Sequence, residues 1–402
     1  MKGINQLSSA AYPGNHCPMH TSVAIASKIQ GVSTLVIGAT ECGYYSRNIA
    51  NSGEFSNDAL HWTYILDENE VVFGCRKGIV DSVIEMDKSG AKVILLISTC
   101  VPEVIGEDLE GIVFEAKKKV SAKVLYVELG NFKCGSHIPG FWQTLLAFGT
   151  LAPKCEKNKN VINVLGRSAD EDHIPKPKII EVLEESYEIK YLAPNSSIED
   201  FEDSTKACVN LVFSPYLNPL AEYLEENHNI PFFAFHNTYS VEDVVKLYKN
   251  LYKTLGIELE TRLFENYEKA KATQKKISEY VNGLTYIGSK IGAVQPLPFH
   301  RYLCTLGLKP IMIHVEDFYP SDTLWREKFL ETGIDPMLCM MVNEDVDREY
   351  ILSQAPELVI GDWLGRIDYK NSTIQVMDTY GRSGFELTLL ILEKFENIRE
   401  RI

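Results

Sequence analysis

The chain has 402 residues, 45% apolar and 24% charged, with 40 Lys and Arg against 55 Asp and Glu for a formal charge of −15. This length supports two or three domains with separate cores, and the composition is that of a globular protein. The acidic excess argues against a surface that reads nucleic-acid phosphates. No apolar run is long enough to span a bilayer and the start shows no basic-then-apolar leader, so a cytoplasmic protein with no membrane or nucleic-acid partner is expected. Nine cysteines, an odd number, do not suggest a disulfide framework; they are free thiols, metal or cluster ligands, or both.

Cys17 stands directly before Pro18, and proline is favoured at a helix's first position, which makes Cys17 an expected N-cap. The helix is expected to run through Gln30 and stop at Gly31. Thr34–Ile37 reads as a buried parallel strand, followed by Cys42 in a Gly-flanked turn. The run Val71-Val72-Phe73-Gly74 continues the alternation, followed by a helix over about 77–88. A strand from Lys92 to Thr99 then delivers Cys100 into Val101-Pro102, and a helix near 103–119 precedes a strand at Lys123. Alternation of this kind means a mainly parallel sheet covered by helices. Three thiols, Cys17, Cys42 and Cys100, thus leave the carboxyl edge of one sheet or cap the helices beside it, where open α/β sheets place their ligands.

The charged segment 154–160 reads as a linker into a second α/β unit. That unit holds strands at Val161, Ala207 and Pro231 and a helix near 217–226. A long charged helix over 258–282 connects to a third unit with strands at Lys309, Met337 and Glu357 and a closing helix near 386–396. The expected fold is therefore α/β, three Rossmann-like domains with mainly parallel sheets flanked by helices, divided as 1–154, 155–256 and 257–402.

The order Cys17…Gly38-Ala-Thr-Glu-Cys42-Gly-Tyr-Tyr…Val72-Phe-Gly…Ser98-Thr-Cys100-Val-Pro-Glu-Val-Ile-Gly-Glu-Asp resembles the nitrogenase component 1 family. Gly130-Asn-Phe-Lys-Cys-Gly-Ser-His resembles the loop after the fourth strand in its β-type subunit. The resemblance implies that Cys17, Cys42 and Cys100 ligate an iron–sulfur cluster between subunits, with Cys75 and Cys134 as further possible ligands. It implies a [4Fe-4S] cluster, with [8Fe-7S] as the alternative, since Asn131-Phe132 departs from the serine-bearing loop. The chemistry is suited: thiolates hold such clusters, and backbone N–H groups and helix starts favour their negative charge. Gly43 is expected to let backbone approach the cluster. Buried inert thiols are the plainer alternative. Zinc is another, from Cys17-Pro-Met-His20 with His16 adjacent, although no CxxC pair completes the site. Otherwise His20 is a packing residue, and Cys155, Cys208, Cys304 and Cys339 are structural.

Departures from the family pattern carry information too. Ser214 stands where the catalytic subunit has its cofactor cysteine, and Gln375–Gly384 holds no histidine. Dinitrogen reduction by this chain alone is not expected. An organic, tetrapyrrole-like substrate in a cavity between the domains, lined by such residues as His236 and His314, is. The resemblance implies a subunit relaying electrons from a transient ATP-dependent iron protein. It would work as a homodimer or as a heterodimer or heterotetramer with a paralogous component-1 subunit. A cofactor-assembly scaffold is the alternative. Gly283-Leu-Thr-Tyr-Ile-Gly288-Ser-Lys290 only imitates a phosphate loop, its lysine one place late, and Glu107-Asp108 reads as helix surface.

Overall fold

The computed structural model describes residues 17–52, 59–134, 136–169, 171, 173–289, 291–292, 294–315, 318–339, 349–350, 352–361 and 372–399. Three sheets, each wholly parallel in its described ladders, follow one another along the chain. This is the expected α/β architecture of Rossmann-like units.

The first sheet holds β1 (Val32–Gly38), β2 (His61–Ile65), β3 (Val93–Ser98) and β4 (Lys123–Glu128) in the order β2-β1-β3-β4. Every residue of β1 and β3 is buried, because helices cover both faces. Val32, Val36, Leu95, Ile97 and Val127 join one apolar cluster, and the alternate residues Leu35, Ile37, Ile94, Leu96 and Val124 join another. Its helices are α1 (Pro18–Ala26), α2 (Thr40–Ser52), α3 (Glu68–Phe73), α4 (Arg76–Lys88), α5 (Cys100–Ile105), α6 (Leu109–Ala116), α7 (Asn131–Cys134) and α8 (Ile138–Gly149).

Several expectations for this unit are corrected. Cys17 does cap α1, but the helix stops at Ala26, because Gln30 exchanges backbone hydrogen bonds with the 196–198 segment. Cys42 lies in the first turn of α2, not in a turn; the strand passes directly into a helix. Gly43 serves that helix's packing: a Cβ there would lie 2.9 Å from Thr63 Cγ2 on β2. Val71-Val72-Phe73 ends helix α3, which Asp67 and Glu70 start with a capping box; the neighbouring strand is β2, upstream. The helix expected over 103–119 is two, broken at left-handed Gly106 and restarted by Asp108, whose carboxylate accepts from Gly111 N–H. Glu107-Asp108 is thus the joint between them, not a helix face.

The second sheet holds β5 (Val161–Leu165), β6 (Glu188–Leu192), β7 (Val209–Val212) and β8 (Phe232–Ala234), ordered β6-β5-β7-β8. Around it lie α9 (Lys178–Leu183), α10 (Ile198–Asp203), α11 (Asn218–His228) and α12 (Val241–Leu255). The long connector is a single-turn 3-10 segment, Thr261–Phe264, followed by α13 (Tyr267–Val281). The third sheet holds β9 (Thr285–Gly288), β10 (Lys309–His314), β11 (Met337–Cys339), β12 (Leu358–Ile360) and β13 (Ser372–Ile374), ordered β11-β10-β9-β12-β13. Its helices are α14 (Pro296–Thr305), α15 (Asp322–Leu330) and α16 (Gly384–Arg399). The imitation phosphate loop is the central strand β9 itself, with Tyr286 and Ile287 buried; its Lys290 lies outside the described residues. Phe385 and Leu389 of α16 join the core of the second unit while Leu387 and Ile391 join the third, so the closing helix binds the two together. Among the described residues no helix is long and apolar enough to cross a membrane.

Candidate functional site

The carboxyl edge of the first sheet gathers the three thiols. Cys17 caps α1, Cys42 lies in the first turn of α2 just past β1, and Cys100 opens α5 just past β3. Thr99, next to Cys100, ties the β1 exit to the β3 exit: its hydroxyl donates to the Ile37 carbonyl at 2.8 Å and accepts from Cys42 Sγ at 3.6 Å. Asn131 N–H donates to Cys100 Sγ at 3.2 Å. Burial raises the Cys17 thiol above its ordinary value, with the charges of Cys100 and Cys42 adding and the backbone N–H groups of Met19 and His20 opposing. All nine cysteines are unbridged.

The two further candidates part company. Cys134, on α7, packs against the same apolar cluster as Cys17 and Cys42, and its Sγ donates to the Glu128 carbonyl at 3.8 Å. Cys75 belongs to the cluster on the opposite face of the sheet. It caps α4 there, and Glu107 accepts from its N–H at 2.7 Å and its Sγ at 3.4 Å. Burial, then the Glu107 charge, pushes this thiol up to about 12. A thiol held protonated beside a carboxylate is a poor metal ligand. Cys304 and Cys339 are buried, Cys208 is half-buried and Cys155 is exposed.

Among the described residues no three His, Cys, Asp or Glu side chains converge as a single-ion site would require. The zinc reading has no support there: His20 meets the Tyr45 ring, centroids 5.7 Å apart, and His16 lies outside the described residues. An iron–sulfur cluster is wider than an ion and asks for thiolates spread around it. The donor set fits that chemistry, with thiols from three elements and an amide already aimed at one sulfur.

Beside this edge lies a cavity of about 930 Å³ whose walls come from all three sheet units. His20 of α1, Lys28 in the turn after it and Tyr45 of α2 form one side. Arg167 after β5, Ser214 after β7 and His236 after β8 form a second, and Gln295, Tyr319 and Arg382 a third. Phe141 stacks on Tyr216 at 4.2 Å, and Tyr216 meets Tyr319 at 5.3 Å. His236 pairs through Nε2 with Asn218 Oδ1 at 3.1 Å; burial pushes it down to about 3 against an opposing contact from Gln295, so its ring is neutral. Arg167, 6% exposed, is ion-paired with Glu171 and donates to the carbonyls of Gly381 at 2.7 Å and Pro175 at 3.2 Å. Three cations, Lys28, Arg167 and Arg382, face one acid, Glu171, in a protein of net charge −15.

The expectation for His314 is corrected: it does not line the cavity but closes β10, its Nδ1 3.1 Å from the Gly288 carbonyl. The residues the sequence reading missed, Arg167, Tyr216 and Tyr319, come from segments far apart in the chain. Only Gly166-Arg167, directly after a β-branched run, carried a local signal of a strand's carboxyl end.

Exposed apolar side chains follow the strands of the first sheet. Phe73 is 84% and Phe132 83% exposed, with Tyr44 and Val104 also exposed; all follow strands of the first sheet at its carboxyl edge. Exposed large apolar groups gathered in one region mark an interaction surface.

The sequence pattern of the family described as nitrogenase component 1 type oxidoreductase matches residues 17–380. The nitrogenase iron-molybdenum cofactor biosynthesis protein NifE of Clostridium pasteurianum is 23% identical over 347 residues, 81% of this chain and 73% of that protein. The NifE of Methanococcus maripaludis is 25% identical over 269 residues, 62% of this chain and 53% of that one. The nitrogenase molybdenum-iron protein beta chain of Methanothermobacter thermautotrophicus is 22% identical over 403 residues, covering 87% and 84%. Among solved structures, nitrogenase Cp1 at pH 6.5 superposes with a TM-score of 0.68 at 17% identity, covering 100% of this chain and 95% of that one; this likeness concerns the fold.

Proposed function

This chain belongs to the nitrogenase component 1 type oxidoreductase family, and from that premise we propose that it is an iron–sulfur subunit of a nitrogenase-like reductase. Its domains are taken as 1–154, 155–256 and 257–402. Cys17, Cys42 and Cys100 would hold the cluster, [4Fe-4S] rather than [8Fe-7S]. When bound, the cluster supplies low-potential electron transfer. Three thiols leave a ligand position for a second component-1-type subunit, a copy of this chain or a paralogue. The exposed apolar side chains of the same sheet edge support that docking. Electrons would arrive from a separate ATP-hydrolysing iron protein, whose contact is transient and salt-sensitive.

One observation carries the reading: the helices that bear the thiols also line the cavity. His20 follows Cys17 by three residues and Tyr45 follows Cys42 by three, and the two rings meet within the cavity wall. The route from thiols to cavity is thus one turn each of α1 and α2. Ser214 offers no thiolate, and the cavity is aromatic with an excess of cations. It suits a large, flat, anionic organic substrate better than a metal cofactor. Arg167 is already paired with Glu171, so Lys28 and Arg382 are the cations left to meet the substrate's charge. Neutral His236 would orient it through hydrogen bonds and not serve as an acid.

The names of the NifE relatives favour a second reading, a scaffold that binds a cofactor precursor and passes it on. Anaerobic purification with iron and sulfide analysis, then stopped-flow reduction by the iron protein with and without ATP, separates the two. A reductase subunit shows ATP-dependent reduction followed by reoxidation on adding its organic substrate. A scaffold releases a metal cluster to a recipient protein without turnover. A protein that holds no iron contradicts both.

A further inference from the structure

The cluster reading assigns the thiols but leaves Glu103 unexplained. This carboxylate lies on α5, one turn beyond Cys100, and turns toward the loop after β4. Its Oε1 accepts from the Gly130 N–H at 2.6 Å. The Gly130 carbonyl in turn accepts from the N–H groups of Lys133 and Cys134, both at 3.0 Å, so it starts α7. Both peptide groups flanking Gly130 are therefore held, the preceding one through its N–H and the following one, which carries the Asn131 N–H, through its carbonyl. The next amide, Asn131 N–H, is the one that donates to Cys100 Sγ at 3.2 Å. Gly130 is needed for this closeness alone: a Cβ there would lie 2.4 Å from Glu103 Oε2.

We propose that Glu103 is a positioning residue which, through the Gly130 amide, holds the Asn131 N–H on Cys100 Sγ and thereby sets the reduction potential of the cluster. The physical reason is electrostatic. An N–H donor to a ligating sulfur stabilises the more negative, reduced state, so hydrogen bonds to sulfur are a main control of cluster potential. The carboxylate's own charge acts in the opposite sense, disfavouring the reduced state, so the two effects have to be separated by choice of variant. The proposal rests on the cluster assignment above.

The test is a mediated dithionite titration of the anaerobically purified, iron-loaded protein, followed by paramagnetic resonance, on three variants. Gly130→Ala keeps the charge and pushes the carboxylate off the Gly130 amide. Its reduction equilibrium is expected to fall tenfold, ~59 mV for a one-electron couple. Glu103→Gln keeps an acceptor for Gly130 N–H and removes the charge, so its potential stays level or rises. Glu103→Ala removes charge and acceptor together and adds no bulk; it is expected to titrate tenfold below Glu103→Gln, which keeps the inference testable if Gly130→Ala folds poorly. Iron content and visible absorption should match the wild type in each. Glu103→Ala and Glu103→Gln titrating together, or an iron-loaded Gly130→Ala at the wild-type potential, would overturn the role of Glu103 and leave the cluster assignment standing. A wild-type protein without iron would overturn that assignment and the role of Glu103 with it.

Discussion

At the carboxyl edge of the first sheet the chain leaves β1 and β3 into helices that begin around Cys42 and Cys100; at the same edge of the second it leaves β5 and β7 into Gly166-Arg167 and Ser214. The two edges are alike in backbone terms, with central parallel strands, abrupt exits and helices packed on both faces. They differ in what the exits carry and in what covers them. The first bears thiols and exposed apolar side chains, with Phe73 and Phe132 more than four-fifths exposed. The second bears a hydroxyl, a guanidinium and an imidazole, and is closed over by the third unit through Arg167 and the Gly381 carbonyl. A parallel sheet provides a place for chemistry, and the side chains delivered there decide its kind. In the proposed function the first edge is completed by another molecule and the second encloses one.

The sharpest break of this contrast is at the thiols. Cys17→Ala, Cys42→Ala and Cys100→Ala should each lose most of the iron and the visible absorption of the purified protein, whereas Cys75→Ala, on the opposite face, should keep both. Full iron retention in all three would remove the difference in chemistry between the edges. Next in size is the surface. Phe73→Asp combined with Phe132→Asp should convert the assembled protein to a monomer by light scattering, with its circular dichroism unchanged. An unaltered mass would place the subunit contact elsewhere.

The enclosed edge responds in stability instead. Arg167→Met leaves Glu171 without its partner in a largely buried position, and should lower unfolding stability by about 3 kcal/mol in urea. The double variant with Glu171→Leu should recover much of that. Equal losses in both would mean that the bonds lost from Arg167 to the Gly381 and Pro175 carbonyls, and not the unpaired Glu171 charge, set the loss. The smallest effect concerns His236. Its value lies below the ordinary 6.5, at about 3, so the stability it contributes is complete above pH 6.5 and is lost as pH falls from there toward 3. Between pH 7 and pH 5 this amounts to about 2 kcal/mol. His236→Gln should shrink the pH 7 to pH 5 loss by that amount in paired urea titrations. An unchanged loss would show the imidazole to be solvated.

What could be read from the residues in order is what neighbouring residues decide. Pro18 after Cys17, the β-branched run of β1 and the apolar run of β3 state their conformations within a few positions, because capping, sterics and burial act locally. The strand exits, and hence the three thiols at one edge, followed from those alone. Where two local signals compete, order in the chain was not enough: Val71-Val72-Phe73 looks like a strand until Asp67 and Glu70 cap it as a helix. Glycine-bounded Thr285–Gly288 looks like a loop until partners on both sides make it the centre of a sheet. The cavity lay wholly beyond local reading. Arg167 and Gly381 are 214 positions apart, and His236 faces the cavity where His314 does not, although each follows or ends an apolar strand. Which way a strand end faces depends on which unit packs against it. That choice is made by the burial of α13 and α16 between the second and third cores, a long-range packing energy that no short stretch of sequence expresses.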